Sequence, residues 1–352
     1  MNKVLGLAAL VLLFSTGAYA LEVTFMVGDV SVIRGGVNVS PLKIGTQIME
    51  NDQIVTGSKA TMTMTYADGS VIKVLENAKL TIGRMSEGSD SAPVCVVKGS
   101  VSAKFTKIAK GSDARRSVYT PTTVCAVRGT EFMVNVSDGA DSRVDLSEGS
   151  LDVHNPYGGE KIEAGQNLEA GIAKAPVKAE GDAGKWKKDR DAALSADAND
   201  KGAAFKGYFS DFSARGKRNS SSIDSAGKKV NDVKDGTSLE AARKTIDGLA
   251  SSVEEDFYLS ATAGAAIAAI TDKFKEDKSG MHSLFLKLKA ESNKVAEQLQ
   301  RNYEAIQAVR ESYKKAKSDI LDKQKGESQK IKGSIDLKNV KPKIEKKAPE
   351  KE

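Results

Sequence analysis

Ala60-Thr61-Met62-Thr63-Met64-Thr65-Tyr66-Ala67-Asp68-Gly69-Ser70-Val71-Ile72-Lys73-Val74-Leu75 decides the class of the N-terminal half. Met62, Met64 and Tyr66 alternate with Thr61, Thr63 and Thr65, the period-2 pattern of a strand with one buried face. Asp68-Gly69 lies between two strand-like runs, and Asp-Gly supplies the positive φ of a tight turn, so the stretch predicts a β-hairpin. A smaller unit, a turn Gly followed by alternating apolar residues, recurs outward from it. It stands at Gly28-Asp29-Val30-Ser31-Val32, Gly69-Ser70-Val71-Ile72, Gly99-Ser100-Val101-Ser102-Ala103, Gly129-Thr130-Glu131-Phe132-Met133-Val134 and Gly149-Ser150-Leu151-Asp152-Val153. The spacings of 41, 30, 30 and 20 residues are uneven. They predict a rolled sheet or sandwich of stacked hairpins over 21–175 rather than a strict repeat array.

Beyond residue 175 the period changes. Residues 176–184 read as a linker, and residues 185–329 are rich in Ala, Lys, Glu, Ser and Leu with apolar spacings of 3 and 4, an all-α pattern. A first helix over about 185–215 carries Trp186, Leu194, Phe205, Tyr208, Phe209 and Phe212, and the polar stretch 215–237 reads as loop. Thr237-Ser238-Leu239-Glu240 has the form of a capping box, opening a helix over 238–275. Gly280 breaks the pattern, and a helix over 281–325 follows. There Phe285, Ser292, Leu299, Ile306, Tyr313 and Ile320 recur every seven residues, with Met281, Leu288, Val295, Asn302, Val309 and Ala316 as the companion series. This seam needs a partner, either residues 238–275 folded back as a helical hairpin or a second copy of the chain in a coiled coil. From about residue 330 to 352 the chain is Lys, Glu and Pro-rich, and it is expected to be a disordered tail.

The start of the chain is a targeting signal. Met1-Asn2-Lys3 is basic, Val4 to Phe14 is apolar, and Ala18-Tyr19-Ala20 is a small-residue cleavage site, so residues 1–20 predict a secretory signal peptide cut after Ala20. No later segment reaches 18 apolar residues, and the expected location is the periplasm or beyond. The net charge of +6 is unevenly placed: residues 21–175 hold 16 Lys and Arg against 18 Asp and Glu, while residues 176–352 hold 36 against 29. This is too weak and diffuse for a nucleic-acid binder.

Chemistry-bearing groups are sparse. Two His and two Cys exclude a His- or Cys-rich metal site. His154 and His282 fall in different halves, and Gly57-Ser58-Lys59 lacks the upstream Gly of a phosphate loop. Asp52, Asp68 and Glu131 are carboxylates that turn chemistry already explains. No Ser, Thr or Cys has a base and an orienting group beside it, so no catalytic residue, cofactor or metal is expected. Cys95 and Cys125 sit in strand-like segments and are either a disulfide or two buried thiols; that the only two Cys share one exported domain favours pairing.

Leu42-Lys43-Ile44-Gly45, Asn51-Asp52-Gln53-Ile54-Val55-Thr56-Gly57 and Ala67-Asp68-Gly69-Ser70 resemble the opening half of the FecR domain family. Val97-Lys98-Gly99-Ser100-Val101, Tyr119-Thr120-Pro121 and Ala126-Val127-Arg128-Gly129-Thr130-Glu131-Phe132-Met133-Val134 resemble its second half, and Val144 to Val153 fits its close. The likeness spans roughly 25–170 and rests most on Thr120, Pro121, Val127, Arg128, Gly129, Thr130, Glu131 and Phe132. It implies an all-β extracytoplasmic domain, which in the best-known members passes a signal from an outer-membrane transporter to a sigma factor. The motif residues themselves read as architecture. The sequence therefore predicts an exported, non-enzymatic cell-envelope protein that binds envelope proteins or cell-wall polymers, with a FecR-type signalling component as the alternative.

Overall fold

A computed structural model describes residues 21–84, 92–107, 116–127 and 129–334, with side chains up to residue 327. The signal peptide 1–20 and its cut after Ala20, Arg128, and the tail from residue 335 lie outside the described residues. An all-β region is followed by an all-α region.

Two sheets share one strand. The first runs β4 (Gln47–Ile48), β1 (Leu21–Val27), β6 (Thr61–Tyr66), β7 (Val71–Val74), β9 (Val94–Lys104), β12 (Glu131–Val136), β13 (Ser142–Glu148), β16 (Asn167–Ala170) and β17 (Val177–Lys178). The second runs β3 (Val37–Asn38), β2 (Val30–Arg34), β5 (Gln53–Thr56), β8 (Lys79–Ile82), β9 again, β10 (Arg116–Tyr119), β11 (Val124–Val127), β14 (Ser150–Asn155) and β15 (Gly158–Glu163). Every described pairing is antiparallel except β9 with β10. Met62, Met64, Ile72, Val101, Phe132 and Val144 of the first sheet and Val32, Ile54, Leu80, Val96, Val118 and Leu151 of the second belong to one buried core, so the sheets form a sandwich.

The recurrent Gly mark where the chain changes layer. Gly28 lies between β1 and β2, Gly129 between β11 and β12, and Gly149 between β13 and β14, while Gly99 bends β9 from the second sheet into the first. Gly69 instead turns the β6–β7 hairpin, where the Gly69 N–H donates to the Tyr66 carbonyl at 2.9 Å and the Ser70 N–H to Asp68 at 2.9 Å.

The α region departs from expectation in four places. The expected linker 176–184 contains β17, and Arg143 donates to the carbonyls of Glu180 (2.9 Å) and Gly181 (2.7 Å), which ties that segment to the sandwich. The expected loop 215–237 is mostly helix. After α1 (Ala183–Ala193), α2 spans Ala198–Asn231, with Ile223, Ala226 and Val230 buried at spacings of 3 and 4. Helix α3 (Gly236–Lys273) is capped by Asp235 rather than Thr237, because the Asp235 carboxylate accepts the Ser238 N–H at 2.8 Å. Helix α4 spans Met281–Ser334, so the first residues of the expected tail are helical.

The chain divides into two compact units, Met1–Gly216 with Glu254–Gln300, and Lys217–Val253 with Arg301–Glu352. In the first, Phe274 stacks on Phe285 at 5.6 Å across the Gly280 turn, and Gly264 of α3 approaches Ser292 of α4. Gly202 and Gly216 of α2 approach Leu284 and Leu299, so α4 packs against two helices of its own chain where the sequence suggested one. In the second unit Gly227 of α2 approaches Val309 of α4, and the Lys229 ammonium donates to the Thr245 hydroxyl of α3 at 3.4 Å. Phe285, Ser292, Leu299 and Ile306 of the heptad series are buried within the single chain.

Candidate functional site

Buried polar groups gather on the second sheet where β10, β11 and β14 meet α2 and α3. Their centre is the turn Thr120-Pro121-Thr122-Thr123 between β10 and β11. Thr120 is fully buried, and its hydroxyl oxygen accepts the N–H groups of Thr122 (3.1 Å) and Thr123 (2.8 Å). The Thr122 hydroxyl donates to Ser142 at 2.6 Å, and Asn155 donates its amide to the Thr122 carbonyl at 2.8 Å. The Pro121 carbonyl accepts the Tyr208 hydroxyl of α2 at 3.0 Å, and Tyr208 packs on Phe212 at 4.4 Å. The helix thus supplies an aromatic lid whose one polar atom satisfies a buried carbonyl. Burial holds the Tyr208 hydroxyl well above its usual pKa and keeps it a donor.

Beside this turn lies an ionic cluster. His154 of β14 stands 3.5 Å from Asp152 through Nδ1 and 3.5 Å from Glu255 of α3 through Nε2. The hydrogen bond to Glu255 raises the His154 pKa, burial pulls it down, and the charges of Glu255 and Asp152 add to the rise, which prevails. Arg215 of α2 and Asp256 of α3 form an ion pair at 2.7 Å with the Asp256 side chain fully buried, and Tyr157 donates to Asp211 at 3.0 Å. These pairs connect strand to helix and helix to helix. Glu255 is 101 residues from His154, which is why spacing along the chain did not reveal it.

The two cysteines are free. Their expected pairing is prevented by strand register. Cys95 of β9 pairs with Tyr119 of β10, and Cys125 of β11 pairs with Val118 of the same strand. Paired residues share a face and neighbours along a strand take opposite faces, so the two thiols point to opposite sides of the sheet. Cys125 joins the sandwich core, while Cys95 hydrogen-bonds Thr262 of α3. Burial pushes both thiols up to about 12.

The other motif residues lie away from the turn. Val127 and Phe132 are in the core, with Phe132 6.4 Å from Phe105. Thr130 is buried and its carbonyl accepts the Phe105 N–H at 2.9 Å. Glu131 is half-exposed and pairs with Lys104 at 2.7 Å. Among the carboxylates, buried Asp52 is held by Arg34 at 2.7 Å. Asp68 is partly exposed; burial would raise its pKa, but hydrogen bonds from Ser70 and Thr106 and the Arg116 charge lower it overall. His282 lies on α4, 3.2 Å from the Thr271 carbonyl. Among the described residues no group of three or more His, Cys, Asp or Glu is arranged to hold a metal, and no helix is long and apolar enough to cross a membrane.

Comparison with known proteins agrees with the β region. Residues 52–152 match the family described as FecR protein. The matched stretch runs from the start of β5 into β14 and contains the Thr120–Thr123 turn. Two crystal structures of a protein provisionally described as an anti-sigma factor from Parabacteroides distasonis are similar at 15% and 17% identity, with TM-scores of 0.33 and 0.32. Each similarity covers 38% of this chain and 62% of the other, so the chain spans less than two thirds of those relatives. No curated protein matches.

Proposed function

We propose that the chain is an exported, non-enzymatic regulatory protein of the cell envelope, acting through protein contact at its FecR domain. The observation that carries this reading is the family match over 52–152. The fold adds to it. The family-motif turn is occupied by this chain's own Tyr208, so its outer face is spent on architecture. On the first sheet, Thr63, Lys73, Ser102 and Met133 stand in register across β6, β7, β9 and β12, each at least partly exposed. This row, with two hydroxyls, one ammonium and one thioether open to solvent, supports a partner surface on the first sheet. The basic start, apolar run and Ala18-Tyr19-Ala20 support export, with the mature chain beginning at Leu21.

Photo-crosslinking in intact cells tests the proposal, with the reactive residue at Ser102 or Met133 and at Lys315 of α4 as control. A discrete adduct at the first two positions and none at the third is expected, together with a mature N-terminus at Leu21. Identical adducts at all three positions, or turnover of purified peptidoglycan that is lost in Asp68→Asn or Glu131→Gln, would overturn it.

A further inference from the structure

A cavity of about 120 Å³ lies between the second sheet and α3, within one compact unit. Its cause is visible in the sequence of α3. Tyr258 holds the helix off the sheet: its hydroxyl accepts the Arg84 N–H at 2.9 Å and donates to the Arg84 carbonyl at 3.0 Å, and its ring lies 5.0 Å from Tyr119. Over the next two turns the helix presents Ala261, Thr262 and Ala265, too short to fill the gap that Tyr258 sets. The Thr262 hydroxyl is used on the Tyr258 carbonyl at 2.6 Å. The sheet side offers Cys95 and Val97, and burial keeps the Cys95 thiol protonated and neutral. Asn51 and Arg84 also line the cavity and are exposed, which puts a carboxamide-bearing and a guanidinium-bearing residue at its solvent side.

An apolar cavity of this size is close to the roughly 150 Å³ that admits benzene. An apolar body with an exposed Arg among its lining residues suits a ring carrying a single anionic group. We propose that this cavity binds a small aromatic monocarboxylate, with the ring against Ala261, Ala265, Cys95 and Val97 and the carboxylate toward Arg84. The inference is independent of the proposed partner contact, which lies on the other sheet.

Calorimetric titration of the full chain with benzoate, benzyl alcohol and acetate tests it. Benzoate should bind at one site with Kd in the range of roughly 0.1–10 mM, and acetate should not bind. Ala265→Leu fills the cavity and should weaken benzoate by roughly tenfold or more without lowering the melting temperature. Arg84→Met should weaken benzoate and leave benzyl alcohol unchanged. Absence of benzoate binding in the wild type, or equal benzoate affinity in Ala265→Leu, would overturn the site. Equal loss of benzoate and benzyl alcohol in Arg84→Met would overturn the assigned carboxylate contact, a result that does not depend on the cavity-filled variant folding.

Discussion

At Gly99, β9 leaves the second sheet for the first with φ +87°, and a Cβ there would lie 2.4 Å from the Ala78 Cα. Two separate costs meet at this residue. The left-handed backbone costs an L-residue about 1–2 kcal/mol, and a Cβ pressed against backbone adds about 1–3 kcal/mol because neither atom can rotate away. Gly165 has nearly the same φ, +85°, and nothing within 4 Å of the same Cβ. Gly99→Ala should therefore lower the unfolding free energy by about 2–5 kcal/mol and Gly165→Ala by only about 1–2 kcal/mol, read from urea midpoints. Equal losses would show that backbone conformation alone, not the close corner, demands Gly99. The sequence exposed Gly99 as part of a recurring unit but did not distinguish a layer change from a hairpin tip. Gly69 has the same signature and turns within one sheet, because that distinction depends on which strand receives the next residues.

The strands were legible where one face is open and obscure where both are covered. Thr61 to Tyr66 alternates because its outer face is partly in water, whereas Val94-Cys95-Val96-Val97 is apolar throughout because the core takes one face and α3 the other. That continuous run was the available sign that helices lie on the second sheet. The missed half of α2 had a quieter sign, one apolar residue per turn at Ile223, Ala226 and Val230 among Ser, Lys and Asp. The contact of β14 with α3 also sets a pH dependence. His154 has its pKa raised in the folded protein by Glu255. The stabilisation is therefore fully present below the unfolded His value, about 6.5, and is lost as pH rises through the raised folded value. Wild type should lose stability relative to His154→Gln as pH increases past about 6.5, and the two curves should run parallel once the folded value is passed. Parallel curves throughout would mean that the Glu255 contact makes no protonation-linked contribution.

For the molecule as a whole, the unexpected feature is that the β/α change of period near residue 175 is not a boundary between compact units, since Glu254–Gln300 is grouped with the sandwich. Charge counts and periodicity describe local chain, and they carry no information about which helix covers which sheet. The two thiols report that cover from opposite sides. Cys125 belongs to the core between the sheets, and Cys95 lines the cavity under α3. In the full chain both are buried, with their pKa raised to about 12, so neither should react with a thiol reagent at neutral pH until the protein unfolds. Intact mass should not change on reduction, and denaturant should release two thiols per chain. In a fragment of residues 21–181, which keeps β17 and the carbonyls that bind Arg143, the helices are gone, so Cys95 should be alkylated rapidly while Cys125 stays protected for as long as the sandwich persists. Alkylation timed by mass spectrometry, with the site assigned by peptide mapping, reads both events. If Cys95 stays as protected in the fragment as in the full chain, α3 is not what shields this face of the sheet.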